Sequence, residues 1–253
     1  MVLMVNNTSY QRAKFLNSSN RLTGKVYLSF HNAGQYFSLR KANEELAREN
    51  AALRARLFSG SPSNEIVDSL INANKDSLLT YRFIAAQVIN NSVNKGFNYL
   101  TLDKGSADGI KPDMGIICGK GTVGIVINVS KNFSTALSIL NPMTRISARL
   151  KNSKYYGTVL WQNRDYQRAD LAEIPFHVDS QVGDSVVTSG YSAIFPENIL
   201  IGTISSFSKG EGKNFYQIKL DLAADFKSLY NVYVIEYRYA EEHSKLEEET
   251  INE

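Results

Sequence analysis

Leu39, Leu46 and Leu53 fall seven residues apart, and Tyr36, Asn43, Asn50 and Leu57 keep the same period. A stripe that repeats every seven residues cannot bury itself within one helix, so it calls for a second helix, most simply another copy of the chain. Residues 20–58 read as one long helix without proline, ending at the breaker Ser59-Gly60-Ser61-Pro62. Asn43 and Asn50 take the a positions and Leu39, Leu46 and Leu53 the d positions, with Leu57 at the next a. Glu49 then falls at g and Arg54 at the following e, the arrangement of an ion pair between two parallel helices. An asparagine at a loses stability but penalises any pairing that leaves its amide unmatched, which favours a parallel two-stranded coil; the alternative is a single amphipathic helix packed against the body. The expected dimerisation residues are Leu39, Asn43, Leu46, Glu49, Asn50, Leu53, Arg54 and Leu57.

After a short helix marked by Ile66, Leu70 and Ala73, the period changes at Tyr81. Nine segments rich in Val, Ile, Tyr and Thr follow: 83–89, 99–102, 122–130, 146–150, 156–161, 185–189, 199–207, 215–220 and 232–237. Turns such as Lys104-Gly105, Asp108-Gly109, Gly183-Asp184 and the hairpin 209–213 separate them. Short strands with frequent turns and no long helix between them predict antiparallel barrels or sandwiches. The expected fold is mainly β, with an N-terminal α-helical coiled coil and two small antiparallel β-barrels. The expected divisions are a basic stalk over 1–80, a first barrel over 81–143, a second over 144–240 that can be intertwined with the first, and an acidic tail over 241–253.

The net charge of +3 hides an asymmetry. Residues 1–60 carry nine Lys/Arg against three acids, whereas residues 241–253 hold six Glu against one Lys. The basic surplus of the stalk reads as a solvated helix surface, with a place near anionic lipid as the alternative. In the body, Lys and Arg are spread too evenly for a nucleic-acid face.

Groups that carry chemistry are scarce. Cys118 is the single cysteine, which excludes an internal disulfide and a cysteine-based zinc site. Gly119-Lys120-Gly121-Thr122-Val123-Gly124 matches G-x-G-x-x-G, but a dinucleotide site needs a helix to begin there. The β-branched run Ile125-Val126-Ile127 follows instead, so a hairpin using glycine at positive φ is expected. Of three histidines only His177 lies in the β region, where Ser189 and Ser192 are formal nucleophiles without a nucleophile elbow. His177, Asp179 and Asp184 make at best a loose trio on separate turns. No catalytic residue, cofactor or metal site is expected. Phe195-Pro196 and Tyr155-Tyr156 are candidates for contact with a protein partner, since aromatic residues dominate interface hot spots.

The stretch 83–134 (FIAAQVINNSVNKGFNYLTLDKGSADGIKPDMGIICGKGTVGIVINVSKNFS) and the stretch 183–205 (GDSVVTSGYSAIFPENILIGTIS), following the heptad region, resemble the MreC family of rod shape-determining scaffold proteins. The second stretch is similar to that family's Thr-Ser-Gly…Phe-Pro…Ile-Gly signature, and the likeness covers about residues 20–238. The resemblance implies a non-catalytic scaffold of cell elongation at the bacterial inner membrane, on its periplasmic side. It implies dimerisation through the coil, and two barrels offered to a penicillin-binding transpeptidase for peptidoglycan synthesis. MreD and the MreB cytoskeleton are implied associates, and anchoring is implied through an N-terminal membrane helix that this chain lacks. Asn198 departs from the family's Phe-Pro-x-x turn, where Gly is common; Asn tolerates the left-handed region better than most residues. The rival reading is the periplasmic adaptor of an efflux or secretion system, which usually has two antiparallel helical arms where this chain has one.

Overall fold

The computed structural model describes residues 39, 41–59, 79–162, 165–178, 180–209 and 215–251. The helix expected over 20–58 is described from residue 41 to 58 as α1; residues 20–38, the Ile66–Ala73 segment and the tip of the 209–213 hairpin lie outside the described residues. Two compact units divide the chain, Met1–Ala47 and Arg48–Glu253. In the first unit the described residues are helical and mostly exposed. The strands and the elements around them belong to the second.

Among the described residues, twelve strands form two closed barrels. The first contains β1 (Tyr81–Asn91), β2 (Tyr99–Leu102), β3 (Gly115–Ile117), β4 (Thr122–Val129), β5 (Ser134–Ser138) and β12 (Asn231–Tyr237), in the order β1-β12-β3-β4-β5-β2. The second contains β6 (Ile146–Leu150), β7 (Tyr156–Leu160), β8 (Arg168–Ala172), β9 (Ser185–Thr188), β10 (Leu200–Lys209) and β11 (Tyr216–Leu222), in the order β10-β11-β8-β7-β6-β9. Every pairing is antiparallel. The architecture is mainly β, with two barrels, as expected.

Alternation decides which residues point inward. β5 and β6 bury every second side chain (Ser134, Ala136, Ser138; Ile146, Ala148, Leu150). Leu100, Leu102, Ile116, Val126, Val232 and Val234 belong to the core in the first barrel, and Val159, Leu171, Val186, Ile204, Ile218 and Leu220 in the second. Fully burying one such side chain contributes about 1.5–3 kcal/mol. Register shifts in β1, β4 and β10 bend these longer strands, which lets a six-stranded sheet close on itself.

Each of the nine expected segments coincides with a strand, overrunning it by no more than one residue. β3, β5 and β8 were not legible. β3 is three residues long, β5 reads STALS with little β-propensity, and β8 reads RADLA with two charges. The last strand of the 144–240 stretch does not stay with its sequence neighbours. β12 lies between β1 and β3, with seven residues paired to β1 from Tyr81↔Tyr237 to Gln87↔Asn231, and so closes the first barrel.

Two crossovers join the barrels. The first, residues 139–145, leaves β5 over a buried asparagine pair: Asn98 Nδ2 donates to the Leu140 carbonyl (2.7 Å) and Asn141 Nδ2 donates to the Asn98 carbonyl (3.1 Å). The second, residues 223–230, is pinned by buried Phe226, whose carbonyl accepts from Asn91 Nδ2 (2.5 Å). After β12, the helix α2 (Ala240–Ile251) carries the acidic tail, with Lys111 Nζ 2.6 Å from Glu241.

Candidate interaction surface

From Arg48 onward α1 has two working faces. Ala51 and Ala55 are buried, and the helix seats on the outside of the first barrel. Small side chains let it come close. The Arg54 guanidinium lies 5.0 Å from the Tyr233 ring centroid, the Phe58 and Phe83 rings are 5.8 Å apart, and the Tyr81 amide donates to Ser59 Oγ (3.2 Å). The leucines do not join this contact: Leu53 is 54% exposed and Leu57 75%. In the first unit Leu39 and Leu46 are exposed as well. Asn43, Glu49 and Asn50 are exposed, and Arg54 is half-buried on Tyr233. The sequence reading missed Ala51 and Ala55. Their signal was two small apolar residues four apart on the side of the helix away from the leucines.

A second apolar surface lies on the second barrel. Tyr156 and Tyr191 meet edge to face at 5.1 Å, Tyr155 meets His177 at 5.0 Å, and Tyr216 meets both Phe176 (5.0 Å) and Phe207 (5.6 Å). Tyr155, Tyr156 and Tyr191 are exposed, as expected for the Tyr155-Tyr156 pair. Phe195-Pro196 differs. Phe195 is a core residue, because its ring is inserted where Gly115 leaves no side chain.

The glycine stretch 119–124 forms the β3–β4 hairpin, closed by the Cys118 amide donating to the Gly121 carbonyl (2.8 Å). None of its glycines has positive φ, which corrects the expectation that left-handed geometry selects them. Close approach selects two of them: a Cβ on Gly124 would stand 2.1 Å from the Leu137 carbonyl oxygen, and one on Gly121 would stand 2.5 Å from that of Leu200. Thr122–Val129 is a strand, so no helix N-terminus exists there to meet a pyrophosphate.

His177 is exposed and edge-on to Tyr155, while Ser189 is buried with its Oγ 2.7 Å from that of Ser147. Asp179 lies outside the described residues. Among the described residues no three His, Cys, Asp or Glu side chains are grouped to hold a metal. Clefts of about 250 and 360 Å³ flank Phe226. In the larger one, Arg168 is paired with Asp221 (3.3 Å) and Asp225 accepts from Ser228 Oγ (2.7 Å), so its charges are already engaged. Among the described residues no helix is long and apolar enough to cross a membrane.

The family signature proves to be structural. Thr188 Oγ1 donates to the Pro196 carbonyl (2.6 Å) and accepts from the Ile199 amide (2.9 Å), tying β9 to the Phe-Pro turn. Gly190 has φ 79°, and Asn198 has φ 72°. Asn198 Oδ1 also accepts from the Arg149 guanidinium (2.6 Å). A family model described as rod shape-determining protein MreC, barrel core, matches residues 88–236, from the second half of β1 through all but the last residue of β12.

The chain belongs to the MreC family. A cell shape-determining MreC of Listeria monocytogenes is 30% identical over 168 residues, covering 62% of this chain and 57% of the relative, so the alignment spans little more than half of that relative's length. A solved MreC structure from Listeria monocytogenes matches with a TM-score of 0.58 at 26% identity, covering 79% of this chain and 94% of the other. MreC in a complex with the penicillin-binding protein PBP2 of Helicobacter pylori matches with a TM-score of 0.51 at 14% identity, covering 62% of this chain and 99% of the other. That last likeness is one of fold. A periplasmic adaptor of an efflux system would need a second long arm; among the described residues the helix after the barrels, α2, has only 12 residues.

Proposed function

We propose that this chain is a non-catalytic scaffold of the cell-elongation machinery, on the periplasmic side of the bacterial inner membrane. It dimerises in parallel through Leu39, Asn43, Leu46, Asn50, Leu53 and Leu57, with Glu49 and Arg54 at the edges of the seam. Its barrels recruit a penicillin-binding transpeptidase for peptidoglycan synthesis. The observation that carries this reading is the division of labour on α1: Ala51 and Ala55 are spent on the barrel while the heptad leucines stay exposed. A helix that has already satisfied one face internally, and keeps a seven-residue leucine stripe outside, is suited to a second copy of itself.

The mechanism is positional. A paired coil holds two sets of barrels side by side, and the aromatic surface of the second barrel supplies anchors of the type that dominate protein interfaces. Arg54 sits on Tyr233; in the pairing we propose it also stands at the edge of the seam. Anchoring through a membrane helix before the coil, and association with MreD and MreB, complete the assembly we propose. Immobilised residues 81–240 should capture a penicillin-binding transpeptidase from a detergent extract of the cell envelope. Capture of a transporter or an outer-membrane channel in its place would overturn the reading.

A further inference from the structure

The loop that follows β9 belongs to the second barrel by its bonds and to the first by its packing. Thr188 holds both Pro196 and Ile199, and Arg149 Nη2 reaches Glu197 and Asn198 at 2.6 Å each, so the loop is fastened to β6 and β9. Its Phe195, 2% exposed, nevertheless lies on β3 of the other barrel. A Cβ placed on Gly115 would stand 2.6 Å from Phe195 Cε1 and 2.6 Å from the Ile194 carbonyl oxygen. A second seam contact lies at Gly121, where a Cβ would be 2.5 Å from the Leu200 carbonyl oxygen and 3.4 Å from Ala223 Cβ. Among the described residues no strand of one barrel is paired with a strand of the other. At these two places the barrels meet through one inserted ring and through backbone that carries no side chain.

We propose that Phe195 is a latch, and the side-chain-free backbone at Gly115 its seat, that together fix the arrangement of the two barrels. Gly115 does not have positive φ, so the absence of a side chain there serves the neighbouring ring rather than the backbone conformation. With the latch removed, the seam loses its inserted ring, and two bodies joined by short segments reorient unless a packed interface holds them. The surface that spans both barrels is therefore preset by this contact, whichever protein the barrels bind.

The test measures one distance across the seam in the full chain. In a Cys118→Ala background, spin labels at Lys131→Cys and Lys151→Cys, both exposed, report on the first and second barrel; an excess of unlabelled chain confines the signal to pairs within one molecule. The unmodified seam should give one narrow distance distribution. Gly115→Ala and Phe195→Ala should each shift or broaden it while far-UV circular dichroism stays unchanged, and Phe195→Leu should fall nearer the original. Unchanged distributions in both variants would overturn the proposal. If Phe195→Ala disrupts the second barrel, Gly115→Ala decides alone, because it leaves the loop sequence intact. Loss of barrel structure in Gly115→Ala would also overturn the proposal, since the contact would then belong to a barrel's own fold.

Discussion

Thr188 is buried with both capacities of its hydroxyl in use, one to the Pro196 carbonyl and one from the Ile199 amide. Thr188→Val keeps the shape and strands two buried backbone groups, so it should destabilise by about 2 kcal/mol or more, read from urea unfolding. Asn198 stands at φ 72°, where alanine is strained and glycine is not. Asn198→Ala should therefore be less stable than Asn198→Gly by about 1 kcal/mol, although both lose the bond from Arg149. Burial alone would raise the Asp108 pKa, but bonds from the Lys104 ammonium and the Gly105 amide outweigh it and hold the carboxyl below its usual value of 3.8. Stability from this group is present above the unfolded-state value and is lost as pH falls through the lower folded value. Protection of the Gly105 amide, measured against its intrinsic exchange rate, should fall on that acid limb. The left-handed turn at Asn198 was legible because residue type and family pattern agree. The fate of Phe195 was not, since a phenylalanine before proline reads the same whether it anchors a partner or fills a gap left by a distant glycine.

α1 shows what periodicity reveals and what it hides. The leucine stripe was legible, but the opposite face was not, because alanine is the common filler of any helix and signals burial only when a surface is seen against it. Enlarging that face should undock the helix: Ala51→Leu or Ala55→Leu should destabilise by about 1–3 kcal/mol through overpacking against the barrel. Among the strands, clear β-propensity found nine of twelve. The three missed are short or polar, and they hold their places through cross-strand bonds on both sides. Pairing order is a property of the closed sheet, so nothing in the residues of β12 says that it returns to β1. This topology predicts an asymmetry between fragments. Residues 144–230 contain all six strands of the second barrel and should fold alone. Residues 81–143 lack β12 and should not fold until the 231–237 segment is supplied; circular dichroism on the two fragments checks both.

Across the whole molecule, the separation of roles is clear: barrels that are packed and bonded within one chain, and a leucine stripe that is not buried by it. If the stripe pairs two copies, Leu46→Asp with Leu53→Asp should leave the barrels folded and convert the chain to monomers in sedimentation. The most direct test of the scaffold itself is sedimentation velocity of the chain mixed with the periplasmic portion of a penicillin-binding transpeptidase from the same cell. The account predicts a complex with two copies of each protein, reduced to one of each by the double aspartate variant. Independent sedimentation of the two proteins, with the chain at its own unaltered rate, would contradict it.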